Sequence, residues 1–259
     1  MDVLIVTLVF LFGLILGSFL NVCVYRIPRD LSVVTPRSFC PECGQQLSWM
    51  QNVPVLSYLL LKGRCRFCRH QIGLRYPAVE LMTGALFALI VWRYGLTLAA
   101  CKWAVFDCLL ITLFWTDLEE RILPDELTLG GGVAGFLFAV FAAVPGPSAM
   151  ILPDASWRWQ SILNAGLGLA LLSLPVWAIG TAYGRLRKRE ALGLGDVKLL
   201  MLLGVFLGPQ DGLVALTLGA VGGALTGIAI LIWTKKNAQT YELPFGSFLC
   251  AGAVLVPFL

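Results

Sequence analysis

The sequence predicts an all-α polytopic membrane protein of about eight transmembrane helices, with a small polar lobe between the first and the second. Three observations carry that prediction. Of 259 residues, 58% are hydrophobic and 13% charged, and mean hydropathy is +0.84, which is more apolar than a soluble domain of this size. The apolar residues are gathered into runs separated by charged or proline-rich segments. With the N-terminus set outside the membrane, all of the 19 Lys and Arg residues except Arg93, Lys102 and Arg158 fall on the inner side, as the positive-inside bias requires.

The first run covers residues 3–24. Its positive flank, Arg26 and Arg29, follows it rather than precedes it, which marks a retained helix and not a cleaved signal. Residues 28–77 form a polar, Cys-rich insert. Further runs cover 78–92, 98–116, 127–144, 159–183, 197–207, 212–233 and 243–259. Each is near the ~20 residues that cross ~30 Å of hydrocarbon, or shorter where a helix is partly submerged. In lipid the backbone must satisfy its own polar groups, so the runs are helices and not open strands. The connections are a charged loop at 117–126, a proline-rich loop at 145–158, a basic loop at 185–190 and a polar segment at 235–242. No internal repeat stands out. This topology places the lobe, the 117–126 loop and the stretch 193–198 on one face of the membrane.

Asp196 stands where water gives way to hydrocarbon, directly after Gly193-Leu194-Gly195. A carboxylate at that depth is a functional candidate by default; the plain alternative is an aspartate N-capping a helix. Asp117 closes the third run on the same face. Two carboxylates brought together share one proton and divide labour: one draws a proton from water while the other hydrogen-bonds the substrate carbonyl. Such a pair hydrolyses a peptide bond without Ser, Cys or metal, and it suits a chain whose single histidine is His70. Asp117 is otherwise a helix-end residue or a partner of Arg121. Asp125 stands on the same face, and physics alone does not choose between it and Asp117. Asp107 lies inside the third run, about 15 Å along a helix from Asp117; it is either a buried structural partner or the carboxylate of an ion pathway.

Cys40-x-x-Cys43 and Cys65-x-x-Cys68 are separated by 21 residues. Two such knuckles read as a closed tetrahedral zinc site, structural and not hydrolytic, that staples a lobe too small for a large core. The alternatives are two disulfides or a redox pair, and placement on the inner face argues against stable disulfides. His70 reads as a surface residue. Cys23, Cys101, Cys108 and Cys250 lie in or beside apolar runs and read as small hydrophobes. Lys62, Arg64, Arg66, Arg69 and Arg75 make the lobe basic, which fits anionic lipid headgroups and not nucleic acid.

Gly193-Leu194-Gly195-Asp196 resembles the GxGD signature of intramembrane-type aspartic peptidases. Asp117, followed by Pro124 and Asp125, resembles the partner motif of the type IV prepilin peptidase family. Gly17-Ser18-Phe19-Leu20-Asn21-Val22, Tyr25-Arg26-Ile27-Pro28, Pro36-Arg37-Ser38-Phe39-Cys40-Pro41-Glu42-Cys43, Asn52-Val53-Pro54-Val55-Leu56-Ser57-Tyr58 and Arg75-Tyr76-Pro77-Ala78-Val79-Glu80 resemble that family's N-terminal segments, in the same order. The resemblance implies a catalytic pair of Asp117 and Asp196, with Asp125 in the motif but outside the pair. Gly193, Gly195, Asp125 and Lys198 take supporting or substrate-facing places, the glycines leaving room for extended substrate backbone.

The resemblance further implies that a basic leader is cut from prepilins or type II secretion pseudopilins, after which the new N-terminal amine is methylated from S-adenosylmethionine. No Rossmann-type glycine loop marks a methyl-donor site. Implied too are a bacterial inner-membrane location, a periplasmic N-terminus and an active site at the cytoplasmic face. The corresponding division is a first helix at 1–27, a methyltransferase-associated four-Cys lobe at 28–77 and a membrane peptidase domain at 78–259. The competing classes are a peptidase without methyl transfer, an ion-coupled transporter working through Asp107, and a metal-lobed scaffold without chemistry.

Overall fold

The computed structural model describes residues 2–187, 193–234 and 243–259. Lys188, Arg189, Lys235 and Lys236, four of the basic residues assigned to the inner face, lie outside the described residues. The described residues form helices: α1 (Val3–Arg26), α2 (Leu56–Leu60), α3 (Arg75–Tyr94), α4 (Leu98–Glu120), α5 (Asp125–Phe141), α6 (Ser148–Ile151), α7 (Trp157–Arg187), α8 (Leu194–Thr234) and α9 (Phe245–Leu255). Among these residues the only β-type pairings are two isolated bridges in the lobe. α1, α4, α7 and α8 are long and apolar enough to cross a bilayer, so this is a membrane protein of at least that many candidate spans.

Every apolar run coincides with a helix, and the differences lie at the ends. α8 is continuous where two runs were expected, but it breaks at Gly208, whose φ of 77° is non-helical. Pro209 follows with no backbone N–H to continue the ladder, so the pieces before and after Gly208 correspond to the sixth and seventh runs. α8 also starts earlier than expected. Asp196 therefore lies within the first helical turn and is not the N-cap, a place that falls to the residue before Leu194. α4 ends where Arg121 turns left-handed, with φ of 58°.

The chain packs as two compact units, Met1–Thr112 and Leu113–Leu259. In the first, α1 crosses α3 at Gly13 and Gly17. A Cβ at Gly13 would come within 2.7 Å of Gly84 Cα, and one at Gly17 within 2.7 Å of Glu80 Cα. Lipid supplies no hydrophobic force between helices, so small residues that permit backbone contact are how such helices hold. Arg26, read in the sequence as part of the positive flank of the first run, is 3% exposed. Its guanidinium donates to the carbonyls of Ser32, Pro36 and Arg37 and lies over the Phe39 ring. It ties the end of α1 to the lobe.

In the second unit α7 and α8 touch backbone to backbone at Gly168 and Gly204. α5 packs on α8, with Gly135 against Val205 and Phe206, and α9 packs on α8 where Gly252 meets Gly219. Ala139, Val144, Ala165 and Val205 form the core between α5, α7 and α8. The turn after α5 is pinned by α7: Ser161 Oγ accepts the Val144 N–H at 3.0 Å, and Asn164 donates to Val144 O at 2.9 Å while accepting from Ser148 N at 3.0 Å. Buried polar side chains there are spent on buried backbone groups that would otherwise go unpaired.

The α7–α8 contact makes a sharp prediction. Gly168→Val drives a side chain into the Gly204 carbonyl, whereas a Cβ at Gly166 meets nothing within 4 Å. Gly168→Val is expected to destabilise by about 3 kcal/mol or more, and Gly166→Val to leave the melting temperature in detergent unchanged.

Candidate active site

Asp117 sits in the last turn of α4 and is 7% exposed. Its Oδ2 accepts two hydrogen bonds from one residue: the Ser247 backbone N–H at 2.6 Å and the Ser247 hydroxyl at 2.8 Å. The same hydroxyl oxygen lies 3.0 Å from the carbonyl of Phe114 in α4. Ser247 is the third residue of α9, after Pro244 at the N-cap. The first N–H groups of a helix have no partner within the helix, so α9 presents its open end to the carboxylate. The approach is close because position 246 is glycine: a Cβ there would lie 3.1 Å from Asp117 Cγ.

Asp196 is half-buried and lies close enough to Asp117 to feel its charge. Between them runs the loop after α4. Leu123 Cδ1 would contact a Cβ at Gly246 at 3.0 Å and one at Gly195 at 3.5 Å. Leu123 is thus a spacer, held by glycine on both sides, that sets how near α8 and α9 come. The two glycines of the 193–196 stretch differ. Gly195 faces Leu123, while Gly193, among the described residues, meets only Asp196 Oδ2 at 3.8 Å. Room beside Asp196 lies on the Gly193 side.

Asp125 does not join the pair. It opens α5, and Lys198 of α8 grips both its oxygens, at 2.6 and 2.8 Å. At 57% and 29% side-chain exposure this ion pair contributes roughly 0–1 kcal/mol; it orients the loop more than it stabilises it. Asp107 belongs to the first unit. It is fully buried, and neither of its oxygens has a hydrogen-bond partner among the described residues.

The four lobe cysteines gather as expected. Their sulfurs lie within 4.8 Å of one another, with Cys40 Sγ and Cys68 Sγ 3.9 Å apart, and none is in a disulfide. Four sulfurs ~2.3 Å from one metal would be about 3.8 Å apart, so the cluster fits a tetrahedral ion. The two knuckles have one design. Cys40 N–H donates to Gln45 O and Gly44 N–H to Cys40 O; Cys65 N–H donates to His70 O and Arg69 N–H to Cys65 O. The bridges Phe39–Gln46 and Arg64–Gln71 match too. The Cys68 N–H that points at Cys65 brings that thiol down to about 7, toward the thiolate that a metal binds. His70 stays outside the sulfurs, 3.7 Å from Glu42.

Sequence reasoning missed Ser247, and the signal was a lone hydroxyl at the fifth position of the run 243–259, directly after Pro244-Phe245-Gly246. It named the two knuckles but missed that their likeness extends past the cysteines, with Gln46 and Gln71 at the same offset.

The fold and site define a class: a helical membrane protein whose chemistry-bearing side chains in the second unit are carboxylates. Residues 11–94 match the family model described as the bacterial peptidase A24 N-terminal domain, and residues 104–228 that of the type IV leader peptidase family. A prepilin leader peptidase/N-methyltransferase of Myxococcus xanthus (strain DK1622) is 38% identical over 233 residues, covering 90% of this chain and 65% of the relative. The protein of the same name in Bacillus subtilis (strain 168) is 36% identical over 249 residues, covering 96% and 92%. That of Aeromonas hydrophila is 34% identical over 272 residues, covering 94% and 87%. No solved structure matches the chain. The chain belongs to the type IV leader peptidase family.

Ser247 is a positioning residue for Asp117, and its loss is measurable. Ser247→Ala removes the hydroxyl bond and keeps the backbone N–H. Leader cleavage is expected to fall about tenfold in kcat, the equivalent of one charge-assisted hydrogen bond. KM should stay within about twofold, and Ser247→Thr should recover most of the rate.

Proposed function

We propose that this chain cuts the basic leader from type IV prepilins or pseudopilins and then methylates the new N-terminal amine from S-adenosylmethionine. Asp117 and Asp196 serve as the hydrolytic pair. The observation that carries the pair is the grip of Ser247 on one oxygen of Asp117, with Asp196 held within reach across Leu123.

Asp117 Oδ2 accepts from two donors, so a proton shared by the pair rests on Asp117 Oδ1 or on Asp196. A water between the carboxyls loses its proton to the ionised one as it attacks the scissile carbonyl. The protonated one donates to that carbonyl oxygen, and the leaving amine then takes up a proton. Gly193 leaves an open flank beside Asp196 on which extended substrate backbone lies. Leu123, Gly195 and Gly246 set the spacing, and the Lys198–Asp125 pair fixes the loop that carries Leu123.

The wider arrangement belongs to the same proposal. Eight helical segments cross or enter the bacterial inner membrane, with the N-terminus periplasmic and the pair at the cytoplasmic face. There it meets prepilin helices at the depth of their leader junction. Residues 1–27 anchor the chain, residues 28–77 form the lobe that serves methyl transfer, and residues 78–259 carry the peptidase. Cys40, Cys43, Cys65 and Cys68 hold a structural zinc, since a closed four-sulfur shell leaves no position for water.

Incubation of the purified protein with a prepilin, with and without S-adenosylmethionine, reads both the cut and the added methyl by mass spectrometry. Asp117→Asn and Asp196→Asn are each expected to lower cleavage by about a thousandfold or more while the protein still inserts; normal processing by either variant removes the pair. Gly195→Val, which collides with Leu123, should impair cleavage with Asp196 in place. Metal analysis should find about one zinc per chain, lost in the Cys40→Ser/Cys43→Ser double variant.

A further inference from the structure

The first unit holds a cavity of about 260 Å³ where α1, α3 and the lobe meet, close to the lower end of the ~300–1,000 Å³ typical of ligand sites. Its lining is polar in a way that the protein leaves unfinished. Asn21 of α1 is 3% exposed; its amide nitrogen donates to Tyr76 O at 3.0 Å, but its Oδ1 has no partner. Gln51 of the lobe accepts the Ser48 N–H through Oε1, while its buried Nε2 has none. Buried polar atoms are rarely orphaned, and here an acceptor and a donor are orphaned in the wall of one cavity. Glu80 of α3 is 8% exposed in the same wall. The Val55 N–H at 2.7 Å and the Ser18 hydroxyl reach it, and no cation pairs with it among the described residues. Tyr25, Tyr58 and Tyr76 stand in the lining too; Arg29 lies over the Tyr25 ring and Arg75 over the Tyr76 ring, which leaves the Tyr58 ring, its hydroxyl turned to the Ile72 carbonyl, as the one without a cation over it among the described residues.

An unpaired carboxylate among aromatic rings is a receptor for a soft organic cation. An amide oxygen and an amide nitrogen add one acceptor and one donor for a polar ligand. Arg26 lines the cavity as well but is spent on lobe carbonyls, while Arg66 and His70 in the same lining suit the carboxylate of a zwitterionic ligand. A sulfonium amino acid offers the matching groups: a cationic sulfur, an ammonium, a carboxylate and hydrogen-bonding ring edges.

We propose that this cavity, with Glu80, Asn21 and Gln51 as its polar contacts, is where the chain binds the S-adenosyl methyl donor. The proposal rests on the methyl-transfer reading above and locates it. Glu80 and Tyr58 hold the cationic end, Asn21 Oδ1 accepts from a ligand N–H, and Gln51 Nε2 donates to a ligand acceptor. In the transfer, the lone pair of the neutral substrate amine forms the new N–C bond. The C–S bond breaks with its electrons left on sulfur, and the methylated ammonium gives its proton to water.

Binding, not turnover, tests it. Calorimetric titration of the full-length protein in detergent uses S-adenosylmethionine and the uncharged product S-adenosylhomocysteine. Glu80→Gln keeps an acceptor for the Val55 N–H, and Gln51→Glu keeps the acceptor for Ser48 N–H. Each should weaken S-adenosylmethionine binding about tenfold or more at unchanged melting temperature, and Glu80→Gln should weaken the sulfonium more than the thioether. Direct ultraviolet crosslinking of radiolabelled S-adenosylmethionine to the unaltered protein should label peptides of α1, the lobe or α3. Wild-type binding with unchanged affinity in both variants, or label confined to residues 113–259, overturns the cavity and leaves methyl transfer standing. A wild-type protein that cleaves leader yet binds neither compound overturns methyl transfer itself.

Discussion

A carboxylate buried at a helix end must be given donors, and Asp117 receives its two from a residue 130 positions away. That requirement organises the second unit. For Ser247 to reach Asp117, α9 must present its N-terminus to α4, and a Cβ at position 246 would press on Leu123 and the Asp117 carboxyl at 3.0–3.2 Å. α9 is positioned in turn by its contact with α8 at Gly219 and Gly252, and α8 by backbone contact with α7 at Gly204 and Gly168. Each contact is made where a side chain is missing. In lipid, where apolar surface gains nothing by leaving its solvent, close backbone approach is the available means of fixing helices to fractions of an ångström. The precision of the carboxylates is inherited from the glycines.

The first unit solves a different problem. Its lobe has little regular structure, and a gathering of sulfurs and charge-assisted hydrogen bonds stand where a larger domain has a core. The sulfur cluster closes one end. Arg26 closes the other, extending the helical order of α1 into a segment with almost no regular structure. The paired knuckles show that one short hydrogen-bonded turn was used twice, with glycine at the left-handed position of one, Gly44, and arginine at that of the other, Arg69.

Helix positions were legible because hydropathy reports directly on the solvent each segment occupies. Ends were less legible, since polar residues at a membrane boundary belong equally to a last turn and to a loop: Asp196, Asp125 and Arg75 all proved to be inside helices. The aspartates could be nominated from placement, but choosing Asp117 over Asp125 took family resemblance. The structural difference is the partner each acquired, Ser247 or Lys198, and both partnerships are tertiary. Arg26 was counted as a topological charge because sequence shows a charge but not its acceptors. The cavity in the first unit had no sequence signature at all: its polar atoms come from α1, the lobe and α3, and become a set only when folded.

The break at Gly208 bears on how water reaches Asp196. The helical piece from Leu194 to the break covers about 21 Å at 1.5 Å per residue, well short of ~30 Å of hydrocarbon. A Cβ at Gly208 would fall on the Pro145 carbonyl oxygen, and its positive φ suits glycine, so the break is fixed at this residue. A bilayer meeting so short an element thins around it. On the proposed pairing of Asp117 with Asp196, such thinning draws the headgroup layer toward Asp196 and brings water to the carboxyls through a dimple in the lipid instead of a channel through the protein.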